Sequence, residues 1–219
     1  FDLDGTLVNS IYAIQRSVNL SLEKWGMRQV SVDECRVFVG DGYKKLLERA
    51  LEACGDSKLE HYGEAVNLYP EIFKGCCMYR VKAYDGIMEL LDFLKENHIK
   101  TAVLSNKPHP RTLDNVEGVF GKGRFDLVYG EREDKGIRKK PSPDGVWALM
   151  EELGVGREEV LYLGDTNTDM RTGRNAQVDT VGVTWGFRDR EELEAFNPEL
   201  IADHPVDVVR YIKDVNGIE

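Results

Sequence analysis

The chain contains no run of about 18 consecutive apolar residues, so no segment of it reads as a membrane span. Cysteine is sparse: four residues, at 35, 54, 76 and 77, with no CxxC pair and no histidine at zinc-type spacing. They read as reduced, idle thiols, which points to a cytoplasmic protein. Seven prolines and 21 glycines are too few and too scattered for a disordered or fibrous chain. Positive charge is in deficit, with 29 Lys and Arg against 39 Asp and Glu and a net charge of −10. An acidic surface repels nucleic-acid backbones and anionic lipid, so neither nucleic acid nor membrane is expected as a partner. No basic-then-apolar leader opens the sequence. It begins at Phe1 rather than Met, and the expectation is that a few upstream residues of the first strand are missing. What remains is an ordinary globular composition over 219 residues, 42% hydrophobic and 31% charged. That length holds one large domain, or a core with a smaller one inserted.

Apolar periodicity divides the chain in two. Between Ser10 and Val81 the pattern is helical throughout, with stripes Ile11/Ile14/Val18/Leu22/Trp25, Tyr43/Leu46/Leu47/Ala50/Leu51/Cys54 and Leu59/Tyr62/Val66/Tyr69/Phe73. Spacings of three and four mark amphipathic helices, and Gly26, Gly55 and Gly75 stand as their stops. From residue 83 short apolar runs, Ile99–Leu104, Phe125–Tyr129, Val160–Leu163 and Thr180–Val183, alternate with helical segments at 86–97, 109–118, 143–153 and 168–176. Leu200–Ala202 and a helix over 206–215 close the chain. Strands alternating with helices predict βαβ units and a parallel sheet. Phe1–Leu3 then reads as a strand of that sheet, parted from the rest by the helices. The predicted fold class is α/β: a Rossmann-like parallel-sheet core, residues 1–9 and 83–219, with an inserted all-helical cap, residues 10–82.

In open α/β sheets ligands bind beyond the carboxyl ends of the strands. After the first strand reads Asp2-Leu3-Asp4-Gly5-Thr6, and residues two apart in an extended segment share a face. Two such carboxylates repel unless a cation or a proton is shared between them. The second strand ends in Ser105-Asn106, at a helix start that offers backbone N–H groups to an anion. Arg138-Lys139-Lys140-Pro141 precedes another helix, and Gly164-Asp165-Thr166-Asn167-Thr168-Asp169 follows the Val160–Leu163 run. Each stretch alone has a plain structural explanation, as an acidic turn, a capped helix, a solvated basic run or an Asp cap. Together they place four acids, hydroxyls and a lysine at the strand ends of one sheet. Hard oxygen ligands suit Mg²⁺, and lysine with hydroxyls suits a phosphoryl group.

In order and spacing these stretches resemble the four motifs of the haloacid dehalogenase-like hydrolase superfamily. The motifs are Asp2-x-Asp4-Gly5-Thr6, a strand-end Ser105, Lys140 before a proline, and Gly164-Asp165-x-x-x-Asp169. A helical insertion straight after the first motif resembles the phosphoglycolate phosphatase-like subfamily with its C1 helical cap. Trp185-Gly186-Phe187 and Ala202-Asp203-His204-Pro205 resemble it too. Asn9, where the subfamily usually has Asp, and Tyr84-Asp85-Gly86, where it usually has Pro-Gly, depart from the pattern. The resemblance implies a Mg²⁺-dependent phosphatase acting on a small phosphorylated metabolite through an aspartyl-phosphate. It makes Asp2 the nucleophile and Asp4 the general acid and base. Mg²⁺ would sit on Asp2, the Asp4 carbonyl, Asp165 and Asp169, the last directly or through water. Thr6, Ser105, Asn106 and Lys140 would hold the phosphate. Dehalogenase members lack an acid at the position of Asp4, so its presence argues for phosphoryl transfer. A loop between cap helices reads the leaving group in the subfamily, and Gly40, Asp41, Gly42 and Tyr43 are the candidates here.

Other tasks of the same subfamily fit the same motifs: a β-phosphoglucomutase-like sugar phosphate mutase or an inorganic pyrophosphatase. A phosphonate-cleaving relative would need a cap lysine, for which Lys44 and Lys45 are ordinary surface residues. A non-enzymatic phospho-acceptor of the receiver type also carries an acidic cluster, hydroxyl and lysine. It is a much shorter domain, however, and its phospho-acceptor Asp stands alone on a later strand.

Overall fold

A computed structural model describes residues 1–218. The chain enters through Phe1–Leu3 and then forms β1 (Val8–Asn9), which leads at once into helices α1 (Ile11–Glu23), α2 (Val32–Phe38), α3 (Tyr43–Ala53) and α4 (Tyr62–Cys76). It returns through β2 (Lys82–Ala83), antiparallel to β1, with Val8 opposite Ala83 and Asn9 opposite Lys82. The remainder alternates: α5 (Ile87–Glu96), β3 (Ala102–Pro108), α6 (His109–Phe120), β4 (Leu127–Glu131), α7 (Asp144–Leu153), β5 (Leu161–Gly164), α8 (Asn167–Ala176), β6 (Asp179–Val183), α9 (Arg190–Glu194), β7 (Leu200–Ala202) and α10 (Pro205–Asn216).

Strands β3 and β4 are parallel, as are β5, β6 and β7. Phe1–Leu3 joins the two groups, because the Asp2 amide donates to the Leu163 carbonyl at 2.8 Å and Leu104 donates to the Phe1 carbonyl at 2.8 Å. Three residues with a turn immediately behind them are too few for a regular ladder. The segment therefore bridges its neighbours without forming a strand of its own. Side-chain alternation divides the sheet's faces. Val103 and Leu163 join an apolar cluster with Leu90, Leu94, Val116 and Val208, while their neighbours Leu104 and Tyr162 pack with Val146, Leu149 and Ala176. Both faces are thus covered, as parallel sheets require.

The inserted helices bury a separate core of Ile14, Val18, Leu22, Leu47, Leu51, Tyr69 and Phe73. Two helix boundaries differ from the sequence reading. Helix α4 runs through Gly75 to a cap at Cys77, since its last turn packs Phe73 and Cys76 inward and outweighs the glycine. The short α2 falls outside the three stripes and is nucleated by a capping box, with Ser31 accepting from the Glu34 amide and Glu34 accepting from that of Ser31. Among the described residues the four cysteines are unpaired, and no helix is long and apolar enough to cross a membrane.

Leu90 is fully buried beneath the sheet, so Leu90→Ala leaves a void. Its stability should fall by about 2–5 kcal/mol, read as the shift in denaturant midpoint. Val215→Ala, at an exposed site, should stay within about 0.5 kcal/mol.

Candidate active site

The carboxyl ends of Phe1–Leu3, β3 and β5 meet the loop before α7, and they bring four charged side chains together. Asp2, Asp165 and Asp169 each offer a carboxylate oxygen, all within 4.8 Å of one another, and all three residues are buried. The Lys140 Nζ donates to Asp2 Oδ1 at 2.6 Å and to Asp169 Oδ1 at 2.8 Å. Local structure explains each placement. Asp169 is the third residue of α8, where its Oδ2 accepts from the Thr166 amide and hydroxyl in a capping box, leaving Oδ1 for Lys140. Asp165 follows β5 directly and is enclosed by two glycines. A Cβ on Gly5 would lie 2.2 Å from its Oδ2, and one on Gly186 would lie 2.3 Å from its Cβ. Gly5 also holds φ +94°, a conformation that favours glycine. The Asp165 oxygens accept from the Thr6 hydroxyl at 2.9 Å and the Phe187 amide at 2.8 Å.

Three buried carboxylates against one ammonium leave an excess of negative charge, and the titration behaviour registers it. Burial, joined by the nearby Asp169 and Asp4 charges, pushes the Asp2 carboxyl up to about 7 despite Lys140 beside it. Burial and the charges of Asp2 and Asp169 raise Asp165 well above the usual carboxylate range. Burial opposes the charge on Lys140, but Asp169 and Asp2 outweigh it and hold the ammonium well above the ordinary lysine value. Without a further cation the cluster must retain protons. Hard oxygen donors carrying surplus negative charge are what a small divalent cation requires, so the residues fit such an ion.

The sequence-derived candidates divide into those that face the pocket and those that hold the frame. Asp2, Asp4, Ser105, Asn106, Lys140 and Asp169 line one cavity, together with Gly40, Gly42 and Tyr43 from the inserted helices. The Asp4 carboxylate stands outside the acidic triad. Its Oδ1 accepts from the Ser10 hydroxyl at 2.5 Å and from Lys107 Nζ at 2.6 Å. Three expectations change. The Thr6 hydroxyl is spent on Asp165 and so is not directed to a phosphate oxygen. The Asn106 side chain clamps the Lys140 backbone from both sides, accepting from its amide at 2.9 Å and donating to its carbonyl at 3.0 Å, and it also donates to the Gly40 carbonyl. Asn106 therefore positions Lys140, and only its backbone N–H remains for a ligand. Asp41 does not line the cavity. One of its oxygens accepts from Thr168 at 2.8 Å and the other from Arg49 at 2.5 Å, fastening the cap loop to α8.

Sequence reasoning passed over two residues with prominent roles in this geometry. Lys107 is buried on Asp4, and its position two places beyond Ser105 on β3 was the available signal. Arg188 donates to the carbonyls of Arg36, Val37 and Val39 at the end of α2, tying the helices to the core, and no motif announced it.

A prediction follows from the charge surplus. Folded Asp2 keeps a proton that the unfolded chain has lost above about pH 4. The cation-free protein therefore loses stability as the pH climbs from there towards about 7. A divalent cation replaces those protons, so its stabilising effect grows with pH. Melting scans with chelator or with saturating divalent cation should show little gain near about pH 5 and a rise of about 5–10 °C near about pH 8.

A family model described as haloacid dehalogenase-like hydrolase matches residues 1–183. The phosphoglycolate phosphatase of Aquifex aeolicus is 31% identical over 210 residues, covering 96% of this chain and 93% of that protein. The phosphoglycolate phosphatase of Colwellia psychrerythraea is 30% identical over 207 residues, covering 93% and 91%. A solved structure from Lactobacillus delbrueckii subsp. bulgaricus superposes with a TM-score of 0.86 at 28% identity, over 95% of this chain and 94% of that one. Strand-end chemistry, sheet topology and sequence kinship agree, and the chain belongs to the haloacid dehalogenase-like hydrolases.

Proposed function

We propose that the chain hydrolyses a small phosphate monoester, of the phosphoglycolate type, through an aspartyl-phosphate on Asp2. The observation that carries this reading is the placement of Asp2 against Lys140 at 2.6 Å on the wall of a cavity that Asp4 also lines. A carboxylate approaching a phosphate ester is repelled by about 4 kcal/mol per charge pair at about 4 Å and an effective dielectric of about 20. Lys140 offsets part of that repulsion. Mg²⁺, held by Asp2, Asp165, Asp169 and the Asp4 carbonyl, would supply the remaining positive charge and stabilise the transferring oxygens.

The protein's own groups then divide the work. An Asp2 oxygen bonds to phosphorus as the ester bond breaks. Asp4 gives its proton to the departing oxygen, which leaves as an alcohol. Asp4 next takes a proton from the water that attacks the phosphorus of the acyl phosphate, releasing inorganic phosphate and restoring Asp2. Lys140 and the backbone N–H of Asn106, next to Ser105, bind the phosphoryl oxygens. Residues 10–82 act as a cap over this chemistry and exclude water. Gly40, Gly42 and Tyr43 border the leaving group, and the glycines allow backbone to approach it closely. The relatives named phosphoglycolate phosphatase support the substrate class.

Asp2→Asn should lower kcat for a chromogenic phosphate ester by about 10⁴-fold or more. Its melting temperature should not fall, because the change removes a buried charge from a crowded acidic cluster. A variant that folds and turns over at near wild-type rate would overturn the nucleophile assignment.

A further inference from the structure

A buried ammonium on the wall of the same cavity, given no part in the chemistry above, carries one step more. The Lys107 side chain is 4% exposed, and a charge so deeply placed requires partners to replace water. It has three. Nζ donates to Asp4 Oδ1 at 2.6 Å and to Asn115 Oδ1, and it lies 5.3 Å from the centre of the Phe73 ring. Asn115 is itself held, its amide donating to the Cys77 carbonyl at 2.7 Å and approaching the Met78 sulfur at 3.0 Å. The Lys107 backbone is fixed as well, since its carbonyl accepts from the Thr112 hydroxyl and its amide donates to Ser105 Oγ.

All of this converges on one oxygen. Asp4 Oδ1 takes both the Lys107 and the Ser10 donors, while among the described residues no hydrogen bond reaches Oδ2. A carboxylate's terminal torsion is broad and nearly two-fold, so an Asp side chain left alone presents either oxygen over a wide arc. Two donors on Oδ1 remove that freedom and leave Oδ2 as the oxygen available to a ligand in the cavity. Proton transfer requires such an oxygen within hydrogen-bond reach of the leaving group at the moment of bond cleavage.

We propose that Lys107, anchored by Asn115, is the positioning residue that aims Asp4 Oδ2 at the leaving oxygen of the substrate. Its Nζ bonds to none of the three clustered carboxylates of Asp2, Asp165 and Asp169 and acts through the Asp4 side chain. The inference rests on the general-acid role given to Asp4 above, and the experiment separates the two.

The test compares kcat/KM for two esters in the presence of Mg²⁺. Ethyl phosphate releases an alkoxide that must be protonated, whereas p-nitrophenyl phosphate releases a phenolate that leaves without a proton. Because kcat/KM covers only steps through phosphoryl transfer, later hydrolysis of the acyl phosphate does not blur the comparison. Lys107→Met, close in volume to lysine, should lose about 10²-fold on ethyl phosphate and less than about threefold on p-nitrophenyl phosphate. Asn115→Ala should show the same divergence at about three- to tenfold. It serves as the measured variant if Lys107→Met does not fold.

Asp4→Asn measured alongside fixes the frame. If it shows no divergence between the esters, the general-acid reading itself fails. If it diverges while the Lys107 and Asn115 variants do not, that reading stands and the positioning role is overturned. Equal losses on both esters assign Lys107 a structural role and overturn the proposal. A loss confined to phosphoglycolate, whose leaving group carries a carboxylate, makes Lys107 a substrate ligand and overturns it equally.

Discussion

The structure depends on an imbalance of charge at the carboxyl ends of the central strands. Asp2, Asp165 and Asp169 converge where only Lys140 stands against them, and all four are shut away from bulk water. Like charges at such distances in a low-dielectric setting drive a chain apart unless the surrounding scaffold holds them. Much of the local architecture does that holding. The α8 capping box fixes Asp169, the Gly5 and Gly186 backbones close on Asp165, and Asn106 grips the Lys140 backbone on both sides. The same arrangement that strains the folded state is what makes the cluster receptive to cations and to phosphoryl oxygens.

The inserted helices and the core meet through polar clasps laid around the rim of the cavity. Arg188 reaches three carbonyls at the end of α2, where the helix dipole is negative and a guanidinium is favoured. Asp41 ties the following loop to Thr168, and burial that would raise its carboxyl is outweighed by the Thr168 hydroxyl and the Arg49 guanidinium. Such contacts exchange readily with water, unlike the apolar cores on either side.

The architecture was legible in the chain because periodicity reports it directly. The change from three-and-four spacing to short apolar runs at residue 83 marks where the helical insert ends and the sheet resumes. Boundaries were harder to read where tertiary packing overrides a local stop, as when α4 carries Gly75 through its last turn. The strand-end acids and Lys140 were visible as residue types at spacings that plain turns and caps explain only one at a time. What spacing could not convey was which polar atoms were already committed. Thr6, Asn106 and Asp41 look like ligand-binding groups in the sequence, yet each spends its side chain on another part of the frame. Lys107 and Arg188 escaped notice for the opposite reason. Neither residue type says at its position which partner it meets, and only the fold reveals that Lys107 is buried against Asp4 and that Arg188 reaches the carbonyls at the end of α2.

The two-residue pairing of β1 with β2 has an architectural consequence. Both crossings between sheet and helices lie side by side, Val8 against Ala83 and Asn9 against Lys82, so the helical segment is joined covalently to the core at a single narrow stem. The same stem works as a socket: whatever sequence is spliced between its two ends can lengthen, shrink or be exchanged wholesale while the register of the strands below stays untouched.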